Sequence, residues 1–124
     1  MDVVNRDSIN AFTTKDTSTI REILAPRNSS IVRQSLAEAI LTPGAETQAH
    51  RHPHTEEIYY ILTGKGLMAI ESEQRAVGPG DGIAIPAGMR HQIRNVGSQD
   101  LVFLCCCVPA YTDEETEFCD ALIL

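Results

Sequence analysis

The sequence lacks the features that would direct a protein to a membrane or a nucleic acid. No apolar run reaches the length that spans a bilayer, and residues 1–6 contain no basic stretch followed by an apolar core. Only 10 Lys and Arg stand against 17 Asp and Glu, and the formal charge of −7 would repel phosphate backbones and anionic lipids. We therefore expect a cytoplasmic protein with neither a membrane nor a nucleic acid as its partner.

Cysteine is scarce as well, and its placement does not suit a disulfide framework. Cys105, Cys106 and Cys107 are consecutive, and only Cys119 stands apart. We interpret all four as free thiols in a reducing compartment. In a strand, Cys106 would face one way and the other two the opposite way, and their ordinary role is that of small buried apolar side chains. If an inward-facing cysteine approached a metal ion, its thiol could instead contact one of the side chains that bind the metal.

Little of the sequence shows helical periodicity. The length of the chain is that of one domain. Residues 1–19 are rich in Asp, Asn, Ser and Thr, and we interpret them as an N-terminal arm, with a single domain over residues 20–124. From Ile31 onward, short apolar segments alternate with Gly, Pro and Asn, the pattern of an all-β domain. The predicted strands are Ile31–Leu41, Glu46–His50, Glu57–Leu62, Leu67–Glu71, Arg75–Val77, Gly82–Ile85, His91–Asn95 and Leu101–Val108.

The turn residues predict antiparallel neighbours that curl into a barrel or a sandwich. Gly64-Lys65-Gly66 and Ser72-Glu73-Gln74 are the predicted hairpin turns, and the Gly and Pro residues of 78–82 and 86–88 bend the chain on both sides of a short strand. A sheet without covering helices can bury its apolar side by closing on itself. Thr112 and Glu115 fit a capping box, which makes a short C-terminal helix possible.

All four histidines lie between residues 50 and 91. Side chains at i and i+2 of a strand share a face, so His50 and His52 would point into the same space. Glu57 begins the next strand in phase with Tyr59, and a closed barrel could bring His91 across to them. Three imidazoles and one carboxylate would hold a divalent ion and leave coordination positions open.

Three neighbouring residues remain alternatives or additions to this set. Glu56 adjoins Glu57, but its strand phase places it outside. His54 shares the parity of His50 and could be an extra ligand or an acid/base group, although Pro53 can break that parity. Tyr59 is a second catalytic candidate, and a packed core aromatic is its more ordinary role.

The spacing of these residues resembles the two signature motifs of the cupin superfamily. From Gly44 the sequence has His50, His52, Glu57 and Gly64 at the positions of the first motif, and from Gly80 it has Pro86, Gly88, His91 and Asn95 at those of the second. The resemblance implies an antiparallel jelly-roll β-barrel with one divalent metal ion, Fe, Mn, Ni, Cu or Zn, on His50, His52, Glu57 and His91. In its length and motif spacing the chain resembles compact, single-domain cupins.

Fold does not determine function, so several classes remain open. We favour a metal-dependent enzyme with oxygenase-like chemistry, an oxidoreductase acting on a small organic substrate. The alternatives are an isomerase or lyase acting on a small acid or sugar, and a non-catalytic small-molecule binder or sensor. A partly apolar substrate would suit the inner candidates Ile61, Ile70, Ile85 and Ile93. We also expect a homodimer, with contacts from 31–41 or the N-terminal arm.

Overall fold

The computed structural model describes all 124 residues, and its regular secondary structure is almost entirely β. Two 3-10 turns, Arg6–Ser8 and Asp113–Glu115, are its only helical elements. No helix has the length and hydropathy needed to cross a bilayer. The strands are β1 Phe12–Thr13, β2 Thr19–Leu24, β3 Ser35–Leu41, β4 His50–Arg51, β5 Glu56–Thr63, β6 Gly66–Ile70, β7 Glu73–Val77, β8 Gly82–Ile85, β9 His91–Asn95, β10 Leu101–Val108 and β11 Glu117–Phe118.

The strands form two antiparallel sheets in the jelly-roll arrangement that the sequence predicts. One has the order β1-β2-β3-β10-β5-β8, and the other has the order β11-β4-β9-β6-β7. Chain neighbours such as β3 and β4 lie in different sheets, so the chain crosses repeatedly from one layer to the other. The all-β, antiparallel fold class is therefore confirmed.

Strand β5 shows why the sheets face each other as they do. Glu57, Tyr59 and Ile61 are buried, whereas the residues between them, Ile58 and Tyr60, are exposed. This alternation with a period of two gives the six-stranded sheet one inward and one outward face. The inward faces of both sheets pack into one core, whose largest fully buried side chains include Phe103, Ile61, Ile93 and Leu101.

Three of the predicted strands, 82–85, 91–95 and 101–108, have the predicted bounds. The segment 31–41 was predicted too long, because the strand begins at Ser35, and the segment 46–50 was misplaced, because Glu46 forms only an isolated bridge to Arg94. Strand β2 was missed. Its inward positions hold Ile20 and Glu22, so its apolar alternation is broken by a carboxylate that pairs with Arg27.

The turn and cap predictions have different outcomes. The turn at Gly64-Lys65-Gly66 does not join antiparallel neighbours, because β5 and β6 lie in different sheets. Ile70 pairs with Glu73, so the hairpin turn consists of Glu71 and Ser72 and lies earlier than the predicted turn at 72–74. Glu71 has a φ of 51°, the conformation that a two-residue hairpin turn requires. At the C-terminal end, the backbone N–H of Glu115 donates to the Thr112 hydroxyl, which confirms the cap and a short helical turn.

Candidate metal centre

The four predicted ligand side chains come together between the two sheets. His50 on β4 and His91 on β9 are direct partners in the register of the five-stranded sheet. Glu57 projects from β5 of the other sheet, and His52 follows β4 in the bend that contains Pro53. All four residues are buried, with at most 5% of each exposed. His50 and His91, 41 positions apart in the chain, therefore meet because β4 pairs with β9, and Glu57 reaches them from the facing sheet.

The distances among the ligand atoms are short enough for one ion. One candidate ligand atom from each of the four residues lies within 4.8 Å of every other. Oε1 of Glu57 is 3.5 Å from Nε2 of His52 and 3.3 Å from Nε2 of His91. The ring centroids of His50 and His91 are 4.3 Å apart. The prediction that these four side chains converge, which depended most on His91, agrees with this geometry.

Main-chain carbonyls orient each of the three imidazoles. Nδ1 of His50 lies 2.7 Å from the Gln48 carbonyl oxygen, and Nδ1 of His91 lies 3.0 Å from that of Met89. Nδ1 of His52 lies 3.1 Å from the carbonyl oxygen of Glu115, in the C-terminal 3-10 turn. A carbonyl only accepts, so each Nδ1 carries the proton and each Nε2 presents a lone pair to the centre.

Two atoms in this cluster have no hydrogen-bond partner. This observation tests whether a metal ion fits among the four side chains. They are Oε1 of Glu57 and Nε2 of His91, both fully buried. Buried polar atoms are almost always paired, and two acceptors facing each other at 3.3 Å repel unless something positive lies between them. A divalent cation satisfies both, and three nitrogen donors with one carboxylate suit Fe, Mn, Ni, Cu or Zn.

The surroundings shift the pKa values of the cluster. Burial, with repulsion from His91, lowers the pKa of His50 to about 4, so this imidazole is neutral at pH 7. Burial alone would raise the pKa of Glu57, but its contacts with His52 and His91 hold that pKa well below the ordinary range. The Glu57 carboxylate in turn raises the pKa of His52 against the opposing effect of burial. The centre thus offers an ionised carboxylate beside the neutral imidazole of His50.

Glu57 has a further contact on the side away from the histidines. Cys107 pairs with Glu57 in the register of β10 and β5, and its thiol donates to Oε2 of Glu57 over 3.1 Å. Burial and the nearby carboxylate raise the pKa of this thiol, so it stays protonated and can donate. Cys105 also faces inward, and Cys106 faces outward, as the alternation predicted. All four cysteines are free.

The other three candidates, His54, Tyr59 and Glu56, lie in different environments. The side chain of His54 is 79% exposed and contacts Glu115, because β4 ends at Arg51 and the strand parity does not extend past the bend. The structure does not bring it to the centre. Tyr59 is buried and points inward beside Phe103, with ring centroids 4.7 Å apart. Glu56 is exposed on the outward face of β5, as its phase predicted.

The centre opens into a cavity of about 40 Å³, room for about three water molecules. Half of its lining residues are apolar, and they include Phe12, Ile20 and Phe103. The inner isoleucines named from the sequence do not line it. Ile61, Ile85 and Ile93 belong to the hydrophobic core, and Ile70 packs against that core. A cavity of this size and composition suits a small, partly apolar molecule.

Asp16 is a site residue that the sequence analysis missed. It lies between β1 and β2, is 8% exposed and lines the cavity. Its Oδ2 is 3.7 Å from Nε2 of His50. The Asp16 main-chain oxygen accepts from the N–H of Gln48, which ties this segment to the residues just before β4. No local pattern marked it, because Asp16 and His50 are 34 positions apart in the chain and only the tertiary fold joins them.

Comparison with known proteins agrees with this geometry. The sequence profile of the cupin domain family matches residues 37–107. A protein of Methanocaldococcus jannaschii of uncharacterised function is 49% identical over 111 residues, 90% of this chain and 89% of that protein. The Bacillus subtilis oxalate decarboxylase is 35% identical over 80 residues, 59% of this chain but only 21% of its own length.

Among solved structures, the polyketide cyclase RemF of Streptomyces resistomycificus superposes with a TM-score of 0.82 at 23% identity. The match covers 98% of this chain and 87% of the cyclase. At that identity the likeness concerns the fold alone. The structural match covers nearly the whole chain, whereas the sequence profile covers residues 37–107.

Proposed function

This chain belongs to the cupin family, and on that premise we propose that it is a mononuclear metal-dependent enzyme with oxygenase-like chemistry on a small, partly apolar organic substrate. The observation that carries the proposal is the pair of buried, unpartnered atoms, Oε1 of Glu57 and Nε2 of His91. Leaving such atoms unpaired costs about 1–3 kcal/mol each, a cost that a bound cation removes.

His50, His52, Glu57 and His91 would hold the ion, and Cys107 would orient Glu57 from behind. A divalent Fe, Mn, Ni, Cu or Zn ion in this donor set supplies a Lewis acid with open positions, and the redox-active metals among these also support oxygen chemistry. The apolar side chains of Phe12, Ile20 and Phe103 limit the water around a bound substrate, which strengthens its polar contacts with the centre.

A lyase or isomerase is the second candidate. It is supported by the 35% identity to a protein named oxalate decarboxylase, whose reaction breaks a carbon–carbon bond. The same ligand set serves this chemistry, because polarising an oxygen of the substrate requires the same open metal positions. A binder or sensor without turnover would use the cavity and the ion only to orient its ligand.

Metal content followed by oxygen uptake distinguishes these candidates. The protein is expressed in media supplemented with a single metal, the bound metal is counted, and oxygen consumption is then measured with small phenols, diketones and acids. We expect one ion per chain and substrate-dependent oxygen uptake. Product formation without oxygen loss would support the lyase or isomerase, and a thermal shift with a compound that is never converted would support the binder. A chain that takes up no metal would contradict all three.

Variants test the ligand assignment with matched controls. We expect His52→Ala to lose stoichiometric metal, because it removes one of three imidazole ligands, whereas His54→Ala should keep it, because that side chain is exposed. Metal content by elemental analysis is the measurement. Retention of one ion by His52→Ala together with its loss from His54→Ala would contradict the assignment.

We further propose a homodimer whose contacts include the outward face of the six-stranded sheet. Ile58, Tyr60 and Leu62 lie on that face of β5 and are all exposed, an unusual concentration of large apolar side chains. In this arrangement residues 20–124 form the cupin domain and residues 1–19 its N-terminal arm. A mass of one chain by light scattering at micromolar concentration would contradict the dimer.

A further inference from the structure

We propose that Asp16 makes the cavity selective for uncharged ligands and against carboxylates and other anions. The inference rests on the proposed metal centre and names the class of molecule that it accepts. Its basis is the position of one carboxylate, on a segment outside the family profile, beside the open side of the ligand cluster.

Asp16 is held rigidly and by one of its two oxygens only. Oδ1 accepts from the Ser18 N–H at 3.0 Å, from the Ser18 hydroxyl at 2.5 Å and from the Thr14 hydroxyl. An ionised carboxylate is a pure acceptor, so three donors on one oxygen suit it well. Oδ2 has no such donor and instead points to the centre, 3.7 Å from Nε2 of His50.

The charges around the cavity do not offset Asp16. Three acidic residues, Asp16, Glu22 and Glu57, line the cavity, and no Lys or Arg does. Glu22 is paired with Arg27. Asp16 has no ion pair with Lys or Arg, and the ionisable group within 4 Å of its carboxylate is His50, which would carry no charge as a metal ligand. Apart from Glu57, which is itself a proposed ligand, Asp16 is therefore the cavity carboxylate whose negative charge no nearby Lys or Arg offsets.

The sum of charges then decides which ligands are favoured. A divalent ion with three neutral imidazoles and Glu57 would have a net charge of +1, which attracts anions. Asp16 at this distance reduces that charge to about zero, and within a buried site with low polarisability the effect is larger than in water. An incoming carboxylate would meet no net positive charge and would also be repelled by Oδ2.

A neutral ligand gains from the same residue. A hydroxyl or amide N–H can donate to Oδ2, which accepts and has no competing protein donor, while another oxygen of the ligand faces the centre. The favoured class is thus a small neutral molecule with a hydroxyl beside a carbonyl or amide. Dicarboxylates such as oxalate, the substrate named for one relative, belong to the disfavoured class.

The test compares glycolamide with glycolate, which have the same shape and differ in charge. Cobalt(II) is loaded into the wild type, Asp16→Asn and Glu22→Gln, one ion per chain is verified, and the visible cobalt bands are titrated with each compound. Asp16→Asn keeps the acceptor for Ser18 and removes the charge. Glu22→Gln is the matched control, a second cavity carboxylate whose charge Arg27 already offsets.

We expect Asp16→Asn to raise the affinity for glycolate, relative to that for glycolamide, about tenfold or more, and Glu22→Gln to leave the ratio nearly unchanged. An equal ratio in the wild type and Asp16→Asn would overturn the inference while leaving the metal centre intact. If Asp16→Asn does not fold, Asp16→Ser, which replaces the carboxylate with a hydroxyl, is measured in its place and judged in the same way. A wild type that binds no cobalt would overturn both the metal centre and this inference.

Discussion

Replacing Glu57 with glutamine should stabilise the metal-free protein, although it removes a ligand. Each Nδ1–H in the cluster donates to a main-chain carbonyl, so Oε1 of Glu57 faces two further acceptors, Nε2 of His52 at 3.5 Å and Nε2 of His91 at 3.3 Å. A glutamine amide in the same place offers one N–H to each. Its carbonyl oxygen still accepts from the Cys107 thiol, as Oε2 does now.

The size of the effect follows from the two unpartnered atoms. Each buried unsatisfied atom costs about 1–3 kcal/mol, and with partial relaxation we expect Glu57→Gln to gain about 2 kcal/mol in total. For a domain of this size that corresponds to a rise in Tm of about 8 °C. Metal at a hundredfold excess over its Kd stabilises the wild type by about 2.7 kcal/mol, whereas the variant, which lacks the anionic ligand, gains little. Adding metal should therefore reverse the order of the two proteins.

The pH at which stability is compared matters because of His52. Burial lowers the pKa of His52, but contact with Glu57 raises it above the ordinary imidazole value. The resulting stabilisation is complete below the ordinary imidazole range and is lost as the pH rises through the raised pKa. The advantage of Glu57→Gln should appear at pH 9 and shrink toward pH 6, since the protonated His52 of the wild type then donates to the carboxylate.

The assay is calorimetry or thermal unfolding of chelator-treated protein at both pH values, with and without metal. Glu56→Gln is the control, because it makes the same chemical change on the exposed face of the same strand. A metal-free Glu57→Gln protein that is less stable than the wild type at pH 9 would refute the reasoning, since it would mean that the two acceptors are not in conflict.

Two further predictions concern Cys107 and the turn at Gly64. Cys107→Ala removes the thiol that donates to Glu57 and should weaken metal affinity about tenfold, whereas Cys106→Ala, on the outward face, should leave it unchanged in a competition titration with a chelator. Gly64→Ala should destabilise the fold much more than Gly44→Ala in urea unfolding. Both glycines have positive φ, which costs alanine about 1–2 kcal/mol, but only at Gly64 would a Cβ lie 2.6 Å from the Asp100 carbonyl oxygen.

The convergence of these four side chains was predictable partly from local rules and partly from a spacing of residues that resembles the cupin motifs. The parity of β5 places Glu57 inward with Tyr59, and the turns at 78–82 and 86–88 mark both ends of β8 and the approach to β9. His54 shows where such rules end. Because β4 stops at Arg51, strand parity explains the position of neither His52 nor His54; in the bend after β4, His52 is buried at the cluster and His54 is exposed.

Strand β2 and Asp16 could not be found in this way. β2 buries Glu22 on its inward face, and the compensating Arg27 lies outside the strand, so the sequence does not alternate as a half-buried strand should. The place of Asp16 depends on the order of strands in the sheets and on a main-chain contact with Gln48. Both depend on the assembled fold, and neither produces a recognisable spacing of residues in the sequence.

The acceptors that orient the histidines connect the centre to the whole fold. Because they are main-chain carbonyls, substituting the side chains of Gln48 or Met89 would leave the orienting acceptors of His50 and His91 in place. The acceptor for His52 differs, since it is the carbonyl oxygen of Glu115, which follows β10. Strand β11, immediately after it, pairs with β4 and covers the edge that carries His50. The C-terminal segment is therefore part of the candidate metal centre, although it contributes none of the four proposed ligands.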